Sequence, residues 1–250
     1  MRGRRKREIR TLFFSDVHIG APFSNYGDLI KYVNKRNPKT IVMVGDIIDV
    51  ALLKKIYGEF WDDRYAYNEF NHIADFSEDS KTRIIYVQGN HECGMFEKHA
   101  GKTFGRMTVE KSCIYKLANK KKLFVEHGHA FDPMLKSRFK YFSKLGTLAY
   151  IVTMSIESLL WKLRIKNNFT NFVKHIAGVD KMVAQFRSLV VAGAKTKNVD
   201  GVVCGHIHTP EIMDVDGFTY INPGDCMENK TVIEEDFEGN LKIVKLDAIL

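Results

Sequence analysis

Cysteine is scarce in this sequence, and there is no long apolar run. The four cysteines lie far apart and form no CxxC pair: Cys93, Cys113, Cys204 and Cys226. This spacing argues against a disulfide framework and against a zinc site built from cysteines. Only three apolar residues separate the basic N-terminus from Ser15, too few for the core of a signal peptide. We therefore expect a protein of the reducing cytoplasm.

Internal repeats and low-complexity linkers are also absent, but the charge is unevenly distributed. The net charge is +8, of which residues 1–10 contribute +5 and residues 130–200 contribute +8, so the rest of the chain sums to −5. This asymmetry predicts an acidic body with basic attachments, one of them a basic tail over residues 1–9. Such attachments suit an anionic membrane surface, nucleic acid or an acidic ligand, and an ordinary solvated tail remains an alternative.

Short runs rich in β-branched and aromatic residues, bounded by turn residues, predict a series of strands. The runs are 11–14, 40–44, 83–87, 122–125 and 202–204. Helical spacing lies between the early runs, as at Leu29, Ile30 and Val33, so the alternation predicts an α/β sheet. From Ile212 onward short strands with glycine or proline turns predict a second, more antiparallel sheet.

Residues 133–198 have a long helical pattern with apolar positions on one face and lysines and arginines beside them. We interpret this segment as an inserted helical lid within a single domain spanning residues 1–250. The stretch between Lys144 and Lys162 has 17 residues and contains Glu157, whereas a membrane span needs about 20 mainly apolar residues. A lid or interfacial helix and a helix packed on the core both remain open.

Five predicted strands end in residue types that bind metals. The segments after them are SDVH (15–18), GDIID (45–49), GNHE (89–92), EHGH (126–129) and GHIH (205–208). Ligands bind outside the carboxyl ends of strands in open α/β sheets, so these five ends can line one crevice. Six of the nine histidines fall in these segments. His206 and His208 are two positions apart, which turns both side chains to the same side of an extended chain.

In this order the segments resemble the signature of the calcineurin-like metallophosphoesterase superfamily: DxH, GD, GNH(E/D), H and GHxH. The resemblance implies a four-layer fold, with a two-sheet β-sandwich flanked by helices and a two-metal centre at the strand ends. It also implies a role for each residue. Asp16, His18 and His208 would bind one metal; Asn90, His127 and His206 would bind the other; Asp46 would bridge both. His91 would be catalytic without ligating a metal, and Asp49 would orient it.

Carboxylate, imidazole and amide oxygen ligands suit manganese, iron or zinc, and we expect two divalent ions, manganese first. Two such ions, two ligating aspartates and a bridging hydroxide leave one net positive charge, which a phosphodiester monoanion would neutralise. The predicted activity is therefore metal-dependent hydrolysis of a phosphoester or pyrophosphate bond through a metal-bridging hydroxide. His91 would supply a proton to the leaving oxygen.

Within the superfamily, GDIIDVA lacks the arginine of the phosphoprotein phosphatase motif GDxVDRG. Only about 40 residues follow His208, too few for the capping domain of a repair-type nuclease. The chain is more similar to the UDP-2,3-diacylglucosamine hydrolase-like group, through SDVHIG, VGDIID, EHGHAFD, VVCGHIHTP and YINPGDCMENKTVIEED. That likeness implies a peripheral membrane hydrolase of lipid A biosynthesis, whose helical lid covers acyl chains. His129 is then a candidate substrate-binding residue.

Other functions remain open. The substrate could be another phospho-glycolipid or nucleotide diphosphate, and a general phosphodiesterase or nuclease is the alternative. Nucleic acid is disfavoured because the sequence does not interleave aromatic and basic residues as single-strand binders do. A metal-free binding scaffold would be expected to have lost a ligand, whereas all seven are present. The sequence does not indicate an oligomeric state.

Overall fold

The computed structural model describes residues 8–21, 24–60, 62–92, 94–132 and 179–248. The chain divides into two compact units, Met1–Gly128 with Val191–Leu250 and His129–Val190. Most of the predicted lid (133–198) and of the basic tail (1–9) lies outside the described residues, and both stay predictions. Among the described residues, no helix combines the length and the apolar content that a membrane span requires.

The described strands and helices follow the chain in an α/β order. The strands are β1 (Thr11–Phe14), β2 (Thr40–Val44), β3 (Arg83–Val87), β4 (Thr103–Phe104), β5 (Met107–Glu110), β6 (Cys113–Lys116), β7 (Lys122–Val125), β8 (Gly201–Val203), β9 (Glu211–Val215), β10 (Phe218–Asn222), β11 (Thr231–Glu235) and β12 (Leu241–Lys245). The helices are α1 (Tyr26–Arg36), α2 (Val50–Tyr57), α3 (Asp63–Asp79) and α4 (Val179–Lys195).

The strands form two mixed sheets. The first has seven strands in the order β12-β11-β1-β2-β3-β5-β4, and the second has five in the order β6-β7-β8-β10-β9. Strands β1, β2, β3 and β5 run parallel in the first sheet, and β7, β8 and β10 run parallel in the second. The outer strands of both sheets are antiparallel to their neighbours. This confirms the predicted α/β class with two sheets and flanking helices.

Alternation along the parallel strands separates the core into two clusters. In β1, Leu12 and Phe14 pack in one cluster with residues of α1 and α3, whereas Phe13 packs in the other. The second cluster also contains Val125 of β7 and Val203 of β8, so it lies between the two sheets. A strand with one face on helices and the other on a second sheet is buried throughout, which explains its continuous apolar sequence.

Four predicted strands, β1, β2, β3 and β7, have the expected bounds. The prediction that all strands after Ile212 form the second sheet is wrong, because β11 pairs with β1 and β12 pairs with β11 in the first sheet. The reason is burial: every residue of β11 is buried, and both of its glutamates find arginine partners. Glu234 pairs with Arg36, and Glu235 pairs with Arg10.

Candidate metal centre

The loops that follow five strands bring all nine residues of the predicted centre into the first unit. The residues and the preceding strands are Asp16 and His18 (β1), Asp46 and Asp49 (β2), Asn90 and His91 (β3), His127 (β7), and His206 and His208 (β8). Three of these strands belong to the first sheet and two to the second. Both sheets therefore contribute residues to the centre.

The predicted ligands of the first metal form one group. Asp16, His18 and His208 each offer an atom, and these atoms lie within 4.8 Å of one another. Nε2 of His208 is 3.2 Å from Oδ1 of Asp16, and Nε2 of His18 is 3.8 Å from the same oxygen. One carboxylate and two imidazoles at this separation match the ligand chemistry of manganese, iron or zinc.

A second group contains three of the four residues predicted for the other metal. Asp46, His127 and His206 offer atoms within 4.8 Å of one another, and Nε2 of His127 is 3.1 Å from Oδ2 of Asp46. A third group, His18, Asp49 and His91, overlaps the first. The bridging role of Asp46 and the division of the ligands between two ions stay predictions.

Three buried atoms of the centre fit a cation for an independent reason. Oδ1 of Asp16, Nε2 of His18 and Oδ1 of Asn90 are buried and make no hydrogen bond within the described part of the chain. The great majority of buried polar atoms are hydrogen-bonded, so three exceptions in one set of predicted ligands require an explanation. Divalent ions at the two predicted positions would satisfy them, one ion at Asp16 and His18 and the other at Asn90.

The backbone at the centre adopts the left-handed region. Five residues of the predicted ligand set have positive φ: Asp16 (51°), His18 (50°), Asp46 (52°), His206 (71°) and His208 (51°). Residues other than glycine rarely adopt this region, and strained backbone of this kind clusters at functional sites. Hydrogen bonds hold the turns, among them those from the amides of Asp16 and His18 to the carbonyls of Gly45 and Asp46.

Close approach between loops explains the glycine that precedes His206. A Cβ atom at Gly205 would lie 2.5 Å from Oδ2 of Asp16 and 2.7 Å from Oγ of Ser15. The amide of His206 donates a hydrogen bond to that same Asp16 oxygen. Only glycine allows the loop after β8 to come this close to the loop after β1.

Opposite charges dominate the electrostatics of the centre. Burial alone would raise the pKa of Asp16, but the charge of His208 and the nearby imidazoles of His18 and His208 hold it well below its usual range. Burial would lower the pKa of His127, yet the charge of Asp46 outweighs it and raises the pKa to about 9. These imidazoles and carboxylates therefore stabilise one another in their charged forms, and a divalent cation would replace the protons of the imidazoles.

Asp49 lies beside His91, the residue that it is predicted to orient. Oδ1 of Asp49 is 2.9 Å from Nδ1 of His91 and also accepts a hydrogen bond from the amide of Leu52, which caps α2. The His91 side chain is 36% exposed, and its Nε2 is 3.9 Å from Oδ2 of Asp46. One ring nitrogen is therefore held while the other faces the predicted ligands. The catalytic role of His91 stays a prediction.

His129 begins a short 3₁₀ helix, His129–Phe131, in the unit His129–Val190. Its predicted role in substrate binding stays a prediction.

Two contributions to the centre were missed in the sequence. Glu92 accepts hydrogen bonds from amides of two of the loops. Asn229 donates from Nδ2 to the carbonyl of His208, and it is itself held by Asp225. Both residues belong to segments that carry the resemblance, GNHE and NPGDCMEN. The motifs therefore include these residues, but the sequence did not indicate what they do.

The family model described as "Calcineurin-like phosphoesterase" matches residues 9–210. Solved structures similar to this chain include a novel archaeal phosphodiesterase, with 17% identity, coverage of 94% of this chain and 98% of that one, and a TM-score of 0.44. Yfce, a phosphoesterase from E. coli, has 15% identity, coverage of 95% and 93%, and a TM-score of 0.48. A single mutant of Vps29 from Entamoeba histolytica has 12% identity, coverage of 94% and 97%, and a TM-score of 0.45. No curated protein matches the sequence.

Proposed function

The chain belongs to the calcineurin-like phosphoesterase family and is a hydrolase of phosphoester bonds, and from this premise we propose that it works with a pair of divalent metals, manganese first. The proposal rests on two groups of potential metal ligands in the loops that follow strands of both sheets. The groups are Asp16–His18–His208 and Asp46–His127–His206. Asn90 would complete the second group through its buried Oδ1.

The metals and the residues of the centre would have different roles in the reaction. When bound, a divalent metal pair supplies positive charge against a phosphoryl group and lowers the pKa of bound water toward neutrality. Asp16 and Asp46 contribute two negative charges, so the two ions would keep net positive charge for an anionic substrate. The hydrogen bonds from backbone amides to Asp16 and Asp46 fix the direction of both carboxylates before substrate binds.

His91 is the group proposed to act on the leaving oxygen. Its Nδ1 is held by Asp49, its Nε2 faces Asp46, and its side chain is partly exposed. A partly exposed imidazole beside a buried ligand set can reach a substrate without ligating a metal. His91 therefore donates a proton from Nε2 to the leaving oxygen.

For the substrate we propose a UDP-diacylglucosamine-like molecule or another phospho-glycolipid or nucleotide diphosphate. The support comes from the sequence: the motif set quoted above and the basic, apolar-striped segment 133–198. Such a segment would contact acyl chains and anionic headgroups, and it would place the enzyme at the inner, cytoplasmic face of a membrane. The alternative substrate is a general phosphodiester, a nucleotide or a nucleic acid.

The test is an assay of the manganese-loaded protein with UDP-diacylglucosamine and with an aryl phosphodiester, using Asp46→Ala as the inactive control. We expect metal-dependent hydrolysis of both, with much higher kcat/KM for the glycolipid. Comparable slow turnover of the two would contradict the glycolipid proposal while leaving the phosphoesterase proposal intact. Binding to duplex DNA that weakens with salt, without binding to anionic vesicles, would favour the nucleic-acid alternative.

A further inference from the structure

Glu92 is a fully buried carboxylate that directly follows His91 and has no place in the predicted ligand set. Its oxygens accept four hydrogen bonds from backbone amides and one from a hydroxyl. The donors are Ile47 N (2.7 Å) and Ile48 N (3.3 Å) to Oε1, Gly89 N (2.7 Å) and Asp46 N (3.2 Å) to Oε2, and the Tyr86 hydroxyl (3.1 Å) to Oε1. A buried carboxylate is costly unless it is hydrogen-bonded, and these five donors provide that compensation.

The donors come from two different loops. Three amides belong to the loop after β2, which carries Asp46, and the amide of Gly89 belongs to the loop after β3, which carries Asn90. One carboxylate thus joins the two loops. Removing the carboxylate would leave buried amides in both loops without an acceptor.

The two loops are in close contact at this point. A Cβ atom at Gly89 would lie 2.1 Å from Oδ1 of Asp46 and 2.4 Å from its amide nitrogen. The same Oδ1 accepts a hydrogen bond from the amide of His91 at 2.7 Å. The direction of the Asp46 carboxylate therefore depends on how the loop after β3 sits against it.

Asp46 is also one of the residues with positive φ, at 52°. The left-handed region is unfavourable for a residue with a Cβ atom. Such a conformation persists where surrounding contacts determine it. The hydrogen bond from the Asp46 amide to Glu92 is one of those contacts.

We propose that Glu92 is a positioning residue that holds Asp46 and Asn90 against each other and so sets the geometry of the second metal position. This inference rests on the proposed function, because it assumes that Asp46, Asn90, His127 and His206 bind a metal. Glu92 acts on the two loops through their backbone amides, so its proposed role requires neither a bond to the metal nor a contact with substrate. The first position, at Asp16, His18 and His208, shares only the predicted bridging residue Asp46 with the second. Among the described residues, none of those three forms a hydrogen bond with Glu92, so the first position is expected to depend on Glu92 less than the second does.

The variant that tests this is Glu92→Gln, which keeps the size of the side chain but replaces one acceptor oxygen with a donor group. That group would face amide donors, so the link between the loops is lost without creating a cavity. The matched control is Glu234→Gln. Glu234 is also buried, and its partners Arg36, Tyr32 and Lys242 lie outside the centre.

The measurement is a titration of the metal-free protein with Co²⁺ alone. Calorimetry and the visible absorption of the bound ion both monitor the titration. We expect wild type to bind two ions. In Glu92→Gln the second ion should bind about 10–100-fold more weakly with an altered spectrum, as for changes beside metal ligands. The first ion should lose less affinity, because Asp46 is only one of its four predicted ligands. Glu234→Gln should bind both ions as wild type does, although it unfolds more easily.

Two ions bound by Glu92→Gln with wild-type affinity and spectrum would overturn the inference, and so would an equal loss of affinity in Glu234→Gln. If wild type itself bound no second ion, the proposed function would fail and this inference with it. If Glu92→Gln does not fold, Glu92→Asp is the variant to measure. It keeps the charge, but its side chain is one methylene too short to reach both loops. Weaker binding of the second ion is expected, and wild-type affinity would overturn the inference.

Discussion

Oδ2 of Asp49 lies 2.9 Å from Nδ1 of His18, so the carboxylate expected to orient His91 also holds a predicted metal ligand. Its other oxygen is 2.9 Å from Nδ1 of His91. Metal-binding histidines commonly donate their second N–H group to a carboxylate, which fixes the ring and its tautomer. Asp49 does this for His18 and fixes His91 with the same group, and it thereby couples the metal site to the proposed proton donor.

Replacing Asp49 with asparagine should therefore affect both functions. The amide of Asp49→Asn can accept from only one of the two imidazoles, so His18 or His91 loses its orientation. We expect metal affinity to fall by about 10–100-fold and turnover to fall as well. The measurement is a Mn²⁺ titration together with kcat for an aryl phosphodiester. Unchanged metal affinity would show that the contact with His18 is not needed to hold that ligand.

His91→Ala should separate the two effects. His91 is proposed to move a proton without binding a metal, so the variant should keep wild-type metal content while kcat falls by about 10²–10⁴-fold, the usual contribution of a general acid. Elemental analysis of the purified variant and a pH–rate profile check this. A variant with full activity would remove the proposed role, and loss of a bound ion would make His91 a ligand.

Some parts of this fold are readable from the sequence and others are not. Strands β1, β2 and β3 are short apolar runs that end abruptly in polar residues, because they are buried on both faces and stop at the centre. Strand β6 has only one buried residue of four, so its pattern resembles a loop. The place of β11 in the first sheet depends on partners of Glu234 and Glu235 that lie some 200 residues away.

The same division holds for the centre. Every predicted ligand lies two to five residues after the end of a strand, so its position could be inferred from local sequence and the motif order. The contact of Asp49 with His18 and the four amide contacts of Glu92 depend on how closely separate loops approach in space. The distance between two loops cannot be calculated from local sequence. Glycines such as Gly89 and Gly205 do lie where the loops touch.

Gly205→Ala tests whether close approach at Gly205 is required. The added Cβ atom would lie 2.5 Å from Oδ2 of Asp16, so either the Asp16 carboxylate or the loop after β8 must shift. We expect weaker Mn²⁺ binding and a loss of roughly 1–3 kcal/mol in the free energy of unfolding, as for other overpacked sites. Calorimetric titration and urea denaturation measure the two effects.

Gly27→Ala is the control for that substitution. Gly27 lies in α1, has no atom within 4 Å of its added Cβ and does not have positive φ. Alanine at this position should leave metal binding unchanged and stabilise the protein by about 0.5–1 kcal/mol. Wild-type metal binding in Gly205→Ala would mean that the loop yields at no cost to the site.

Glu234 provides a test of pH-dependent stability away from the centre. Burial alone would raise its pKa, but hydrogen bonds from Arg36, Tyr32 and Lys242 outweigh burial and lower it. The folded protein therefore binds this proton less readily than the unfolded chain does. The stability that Glu234 contributes is complete above its ordinary pKa of 4.5 and is lost as the pH falls below that value toward the lowered pKa.

We expect Glu234→Gln to lower the free energy of unfolding at pH 7 by about 3 kcal/mol, because the buried Arg36 loses its charged partner. On acidification to about pH 3.5, wild type should lose more stability than the variant, which has no carboxylate at this position to protonate. Urea denaturation at both pH values measures the difference. Asp62→Asn is the control: Asp62 pairs with Arg64 on the surface, and asparagine caps α3 equally well, so its acid response should match that of wild type. Equal acid losses in wild type and Glu234→Gln would show that the Arg36 pair does not stabilise the ionised carboxylate.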